Sequence, residues 1–138
     1  MALLCFPFGA YAQNQQVWAC QEEASVGLFW ENNRWVTSGV VPENMLMTLP
    51  TLPPRVLPDE ITNNRSNGTY KLGSRPDRPM FCRTNLDMSV TCVNNTGSML
   101  FMLNRQTGRL GYSALLGATL DYDVRDTVLT RIYNCTKF

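Results

Sequence analysis

The chain has 138 residues, of which 44% are hydrophobic and 17% are charged, and its 12 Lys and Arg against 11 Asp and Glu leave a formal charge of +1. This length suits one domain, and the balanced charge disfavours a nucleic-acid-binding protein, which needs a basic surface. There is no histidine, which excludes histidine-based catalytic triads and histidine metal sites.

The N-terminus has the pattern of a secretory leader. Residues 1–12 are uncharged and largely apolar, and they end in the small-x-small pattern Ala10-Tyr11-Ala12. We therefore expect residues 1–12 to be a signal peptide, incomplete at its start because no Lys or Arg precedes the apolar run. Residues 13–138 are then one exported domain in the periplasm or outside the cell. The alternative is an apolar first strand of a protein that is not exported. No window supplies the ~20 apolar residues of a transmembrane helix.

The cysteine count supports export. Removal of residues 1–12 would take Cys5 away and leave four cysteines, Cys20, Cys82, Cys92 and Cys135, and an even number in an exported domain predicts disulfides. Three pairings are open. The short hairpin predicted between Cys82 and Cys92 favours that pair, which leaves Cys20 and Cys135 to join the two ends of the domain. The alternatives are four reduced thiols, or a zinc site, which the wide cysteine spacing disfavours.

Short apolar runs alternate with polar turns along the rest of the chain. The predicted strands are 17–20, 26–30, 34–37, 45–49, 69–72, 80–84, 88–93, 98–104, 109–115 and 127–135. Strands at this spacing predict an all-β fold, either a single antiparallel β-sandwich or a small β-barrel. Little helix is expected, with single turns at 42–46 and 114–118. The continuous apolar run 98–104 predicts a strand covered on both faces.

The prolines are concentrated in the middle of the chain. Seven of the eight prolines lie between Pro42 and Pro79, and proline disfavours central sheet and long helix. We therefore predict that residues 50–68 form a long surface loop. Loops of this length in a compact domain are either functional or disordered.

Four sequence blocks resemble a group of small exported bacterial proteins of unknown function. They are the stretches 18–20, 27–35, 101–110 and 126–138. The most distinctive piece is Phe-x-x-Asn-x-x-Thr-Gly-Arg, in which Phe101 suits the core while Asn104 and Gly108 suit a turn between strands. The resemblance implies an exported β-domain and brings no chemistry with it.

Carboxylates offer two candidate sites, and neither carries a recognisable motif. A cluster near the C-terminus could begin a calcium site, but the glycine and distal glutamate of a calcium loop are missing, and we interpret it as a solvated turn. A glycosidase-type pair could be drawn from three glutamates whose separation the sequence does not fix. We predict no catalytic residue, no metal and no cofactor. The two sets are Asp121, Asp123 and Asp126, and Glu22, Glu23 and Glu31.

Three tryptophans lie close together in the sequence, at Trp18, Trp30 and Trp35. Stacked aromatic rings can bind sugars or peptides, although aromatic residues on alternating strands more often form the core. Together with Arg109 they are the candidate binding surface. Trp30 and Trp35 flank the Asn32-Asn33 turn and are expected to pair across a hairpin.

These observations favour a non-catalytic binding or interaction protein, monomeric, whose partner is a protein or an envelope component. One alternative is a small envelope hydrolase that uses Asp or Glu, which requires a carboxylate with a raised pKa. The other is a lipocalin-like carrier of an apolar ligand, which requires an open cavity inside the barrel.

Overall fold

The computed structural model describes residues 15–50, 66–85, 87–116 and 127–138. These ranges contain nine strands and no helix: β1 (Gln15–Glu31), β2 (Arg34–Ser38), β3 (Met45–Pro50), β4 (Ser66–Leu72), β5 (Arg78–Thr84), β6 (Val90–Asn94), β7 (Met99–Leu103), β8 (Arg109–Leu116) and β9 (Thr127–Lys137). The predicted all-β class is confirmed. The predicted helical turns are wrong where they are described, because Met45 begins β3 and residues 114–116 end β8.

Two predicted segments fall largely outside the described ranges. The predicted leader, residues 1–12, lies wholly outside them. Of the predicted loop 50–68, residues 51–65 lie outside, while Pro50 closes β3 and residues 66–68 open β4. The predicted loop is therefore too long at its C-terminal end, because the register of β4 against β5 already begins at Ser66.

Eight of the strands close into an antiparallel barrel. Their order is β1-β3-β4-β5-β6-β7-β8-β9, and β9 pairs back on β1 to complete the circle. β2 is a ninth strand that pairs with β1. Of the two predicted all-β architectures, the structure is the barrel. The interior of an eight-stranded barrel is just wide enough for side chains to fill it.

β1 joins two predicted strands, 17–20 and 26–30, into one strand of 17 residues. Its first part pairs with β3, its last part pairs with β2, and β9 runs along most of its other side. One extra residue, Glu23, separates the paired positions Glu22 and Ala24. Such a β-bulge bends a strand and increases its twist. Residues 24–38, which are β1 after the bulge together with β2, are called the arm below.

The barrel interior is packed with apolar side chains. On β9, Leu129, Arg131 and Tyr133 are buried while Ile132 is exposed, which is the alternation expected of a strand with one face in the core. The rings of Tyr70, Phe101 and Tyr112 pack in series, with centroids 4.8 and 5.1 Å apart. The largest side chains with less than 2% exposure are Tyr133, Phe101, Met47, Leu49, Met80, Leu103, Leu110 and Val90.

β7 corrects one prediction. Within the predicted run 98–104, the strand Met99–Leu103 is apolar throughout, yet it is covered on one face only. Phe101 and Leu103 are fully buried, whereas Leu100 and Met102 are 42% and 50% exposed on the outside of the barrel. Side chains of a strand alternate between its faces, so a run of apolar residues does not by itself say that both faces are covered.

The turn between β7 and β8 explains the distinctive motif. The Asn104 side-chain oxygen accepts the backbone N–H groups of Gln106 and Thr107, at 2.9 and 3.1 Å. Gly108 has φ of 72°, a conformation that favours glycine. A Cβ at this position would collide with the carbonyl oxygen of Cys135. The structure thus confirms Phe101 as a core residue, and Asn104 and Gly108 as turn residues.

Both favoured disulfides are present. Cys82 and Cys92 face each other on β5 and β6, and Cys20 and Cys135 face each other on β1 and β9. The first cross-links a local hairpin, with a sequence separation of 10. The second cross-links the strands that close the barrel, with a separation of 115.

The two disulfides are expected to differ in how much they stabilise the fold. In the chain-entropy treatment, closing a loop of 115 residues contributes about 5 kcal/mol, and closing one of 10 contributes about 3 kcal/mol. Replacing Cys20 and Cys135 by Ala should therefore lower the free energy of unfolding by about 2 kcal/mol more than replacing Cys82 and Cys92. Urea unfolding of the two double variants measures this difference, and equal losses would contradict the prediction.

Candidate functional site

A buried ion pair lies at one end of the barrel. Arg131 on β9 is only 4% exposed, and its guanidinium group pairs with the carboxylate of Glu22 on β1, whose side chain is 3% exposed. Arg131 Nη1 also donates to the backbone oxygen of Val41 at 3.1 Å. Charged side chains are rarely buried unless they are paired in this way.

The ion pair holds the connection between β2 and β3. Glu22 Oε2 accepts the backbone N–H of Glu43 at 2.8 Å, and Arg131 Nη2 lies 3.6 Å from Glu43 Oε2. From the other side, Arg75 Nη2 donates to Glu43 Oε1 at 3.0 Å. Residues 39–44 are thereby fixed to the barrel at Glu22 and Arg131. We call Glu22, Glu43, Arg75 and Arg131 the ion-pair network.

The electrostatics of the network keep Glu22 ionised. Burial alone would raise its pKa, but the Glu43 backbone N–H, the Ser25 hydroxyl and Arg131 together lower the pKa of Glu22 below its ordinary value of 4.5. Burial, with Tyr70 nearby, raises the pKa of Tyr112 to about 12. Burial therefore does not protonate Glu22, which stays a carboxylate at neutral pH.

This arrangement does not suit acid–base catalysis. A catalytic acid needs a raised carboxyl pKa, whereas the pKa of Glu22 is lowered, and so is the pKa of Asp87, through the Ser89 hydroxyl and backbone. Nor does the structure bring the three predicted glutamates together, because Glu22 is buried, Glu23 is the exposed bulge residue and Glu31 ends β1 beside the hairpin turn.

Two further observations bear on metal and ligand sites. Asp121, Asp123 and Asp126 lie outside the described residues, and within those residues no group of three or more His, Cys, Asp or Glu is placed to hold a metal ion. A depression of about 300 Å³ at the barrel end is lined by residues that include Arg75 and Arg78. Another, of about 830 Å³, lies on the outer wall beside Leu46 and Lys71. The described residues contain no helix that could span a membrane.

The outer wall of the barrel and the arm share a band of large apolar side chains. Nine of them are between 37% and 57% exposed. We call this surface the outer apolar band, and its members are Val26, Trp30, Trp35, Phe81, Val93, Leu100, Met102, Leu115 and Ile132. Single exposed apolar side chains are common on protein surfaces, whereas contiguous patches of them are rare.

The strand register places members of the band in one row across the barrel wall. Phe81, Val93 and Leu100 stand opposite one another on β5, β6 and β7. The same row continues through Ser113 and Thr130 to Val26 on β1, so it crosses six strands without a charged residue. Neighbouring side chains on one face of a sheet are close enough to touch.

A notch lies in a second row of the band, beside the first. Met102, Gly111 and Ile132 form a second row on β7, β8 and β9. A Cβ added at Gly111 would have no heavy atom within 4 Å, so the glycine leaves open space between two large side chains. A projecting apolar side chain of another molecule could be seated there.

The sequence-predicted surface residues do not form one site. Trp18 is buried in the core, at 4% exposed. Trp30 and Trp35 pair edge-to-face across the hairpin, with ring centroids 5.3 Å apart, and belong to the band. Arg109 begins β8 and pairs with Asn134, away from the arm. The sequence analysis missed Leu100 and Met102, although the apolar residues on both faces of β7 were a signal.

Acid is expected to weaken the contribution of Glu22 to stability. Because the pKa of Glu22 is lower in the folded protein than its ordinary value of 4.5, its stabilisation is complete above that pH and is lost as the pH falls through the folded value. Glu22→Gln should therefore differ most from the wild type at neutral pH and progressively less below 4.5. Glu23→Gln, at the exposed bulge, is the matched control and should follow the wild type. Urea unfolding between neutral and acid pH measures both variants, and a constant difference for Glu22→Gln would contradict the prediction.

Breaking the pair from the other side should be costly. Arg131→Met leaves the carboxylate of Glu22 buried and unpaired, which should reduce the free energy of unfolding by about 3–5 kcal/mol. The double variant Glu22→Leu with Arg131→Met removes both charges and should lose much less. Urea denaturation of the two single variants and the double variant gives the coupling energy. Additive losses would show that the two side chains do not interact.

No protein-family model, no curated protein and no solved structure matches this chain. The similarity to small exported bacterial proteins, drawn from four sequence blocks, stays a prediction. The candidate sites are accordingly described from their own side chains. They are the ion-pair network at one end of the barrel and the outer apolar band.

Proposed function

We propose that the chain is an exported, disulfide-bonded interaction domain that binds a protein partner through the outer apolar band. The observation that carries this proposal is the arrangement of the band in adjoining rows, the first of which crosses six strands without a charged residue. Because the interior of the barrel is filled with side chains, another molecule can bind only on the outside. Contiguous exposed apolar surface is typical of interaction sites.

The composition of the band suits a protein partner. Aromatic residues and Met are enriched at the centres of protein interfaces, where charged residues are depleted. The band supplies Trp30, Trp35, Phe81 and Met102. The notch at Gly111 offers a place for an anchoring side chain of the partner, and energetically dominant interface residues usually fill such pockets.

Export rests on the cysteines and the leader. Disulfides form and persist in oxidising compartments, and both pairs of this chain lie across neighbouring strands inside the barrel. An oxidising, exported location is compatible with them. The apolar run and small-x-small pattern of residues 1–12 support a periplasmic or extracellular destination.

The alternative functions receive less support. A hydrolase that uses Asp or Glu requires a carboxylate with a raised pKa, and the shifted carboxylates among the described residues, Glu22 and Asp87, have lowered values. A carrier of an apolar ligand requires a hollow barrel, whereas Tyr133, Phe101 and Met47 fill the interior with less than 2% exposure.

Photo-crosslinking in the native host tests the proposal. A photoreactive phenylalanine analogue replaces Met102, in the second row of the band beside Gly111, and irradiation should give one discrete adduct of higher mass. Gly111→Lys places a charge beside it and should reduce that adduct at least tenfold, because burying an unpaired ammonium in an apolar interface costs several kcal/mol. The adduct is quantified by immunoblot and identified by mass spectrometry.

The control uses the same substitution elsewhere. A Cβ at Gly39 also meets no atom within 4 Å, but Gly39 is outside the band, so Gly39→Lys should leave the adduct unchanged. No adduct from Met102, or one that both lysine variants reduce equally, would show that the band is not the binding surface.

A further inference from the structure

The arm has an open edge. Each of the eight barrel strands has a partner on both sides, but within the described part of the chain β2 pairs with β1 alone. The other side of β2 therefore carries backbone N–H and C=O groups without strand partners among the described residues. Such an edge is a template on which another strand can pair.

The hairpin turn determines which residues face this edge. Asn32 and Asn33 have φ of 50° and 59°, as in a two-residue type I′ turn, which makes Glu31 and Arg34 the pair that exchanges hydrogen bonds. Since the pattern repeats every second residue, Val36 directs its backbone groups to β1. Trp35 and Thr37 direct theirs to the open edge.

Among the described residues, the edge of β2 lacks the features that usually block pairing. Natural edge strands are protected by proline, lysine, bulges or covering segments. The sequence of β2 is Arg-Trp-Val-Thr-Ser, with its only charge at the turn end. All of its side chains except that of Val36 are exposed.

We infer that β2 pairs antiparallel with β2 of a second copy of this chain, in a register centred on Val36. In this register Trp35 lies opposite Thr37 of the other copy, so the residues that face the edge in both copies exchange hydrogen bonds. Arg34 lies opposite Ser38, so no like charges meet. The formal charge of +1 adds little repulsion between copies. The inference departs from the monomer expected from the sequence.

The pairing has a structural consequence that goes beyond the proposed function and does not rest on it. The two-fold axis of an antiparallel strand pair within one sheet is perpendicular to the sheet. It therefore leaves both copies of the Trp30–Trp35 pair on the same side of a continuous sheet. The dimer would present two outer apolar bands side by side, and a partner with two binding sites would gain affinity from this arrangement.

Sedimentation of the disulfide-intact protein tests the pairing. The wild type should sediment as a dimer that dissociates on dilution. Thr37→Pro removes one edge-facing donor per copy without touching the bonds to β1, and it should raise the dimer dissociation constant at least tenfold. Thr37→Val keeps the donor and is the matched control. The near-ultraviolet circular dichroism of the Trp30–Trp35 pair reports whether the hairpin is intact. A wild type that stays monomeric at all concentrations, or a dimer insensitive to Thr37→Pro with the hairpin intact, overturns the inference.

A cross-link gives a second, independent measurement of register. Val36→Cys places the two introduced thiols opposite each other on the axis and should yield a covalent dimer under mild oxidation. Thr37→Cys places them more than ~7 Å apart by Cα, beyond disulfide reach, and should not. A cross-linked dimer from both variants or from neither overturns the register. The result of this cross-link is independent of the photo-crosslink from Met102, because Met102 lies on β7 and not on the arm.

Discussion

The pairing of β1 with β9 is the contact on which the rest of this structure depends. It runs from Trp18 and Lys137 at one end to Phe29 and Thr127 at the other, and it closes a meander of strands into a barrel. Without it the first and last barrel strands would each present an unpaired edge, and the core would open to water. The Cys20–Cys135 disulfide lies within this pairing, so the covalent bond and the hydrogen-bonded ladder hold the same junction.

The same two strands also organise both ends of the molecule. Toward the arm, Arg131 of β9 reaches Glu22 of β1, and the pair fixes the connection from β2 to β3. Toward the other end, the backbone N–H of Cys135 donates to the carbonyl oxygen of Gly108 at 2.7 Å. Because the interior is filled with side chains and one end is held by charges, the outer wall is where an extensive apolar surface remains available to another molecule.

Much of the fold could be predicted from local sequence patterns. The candidate site could not, because it depends on contacts between residues far apart in the sequence. The strand pattern of residues 127–135, the Asn32-Asn33 turn and the spacing of Cys82 and Cys92 are all local, and each led to a correct prediction. Closure into a barrel was not local, because it requires knowing that β1 meets β9. The Glu22–Arg131 pair spans 109 positions, so only a charged residue at an inward position of β9 hinted at it. The outer apolar band was hidden because β7 is apolar on both faces, and sequence cannot tell a covered face from an exposed one.

The β-bulge at Glu23 determines which residues of the arm face outward. Before the bulge, Trp18, Cys20 and Glu22 turn inward at even positions, and after it the inward positions are odd, beginning with Ser25 opposite Arg131. Deleting Glu23 would make Glu22 and Ala24 consecutive and leave them opposite Tyr133 and Ile132, so β1 would become regular and Trp30 would stay on the outside. The bulge is therefore a place where this strand can lose one residue, as a loop can, without exchanging its inward and outward faces.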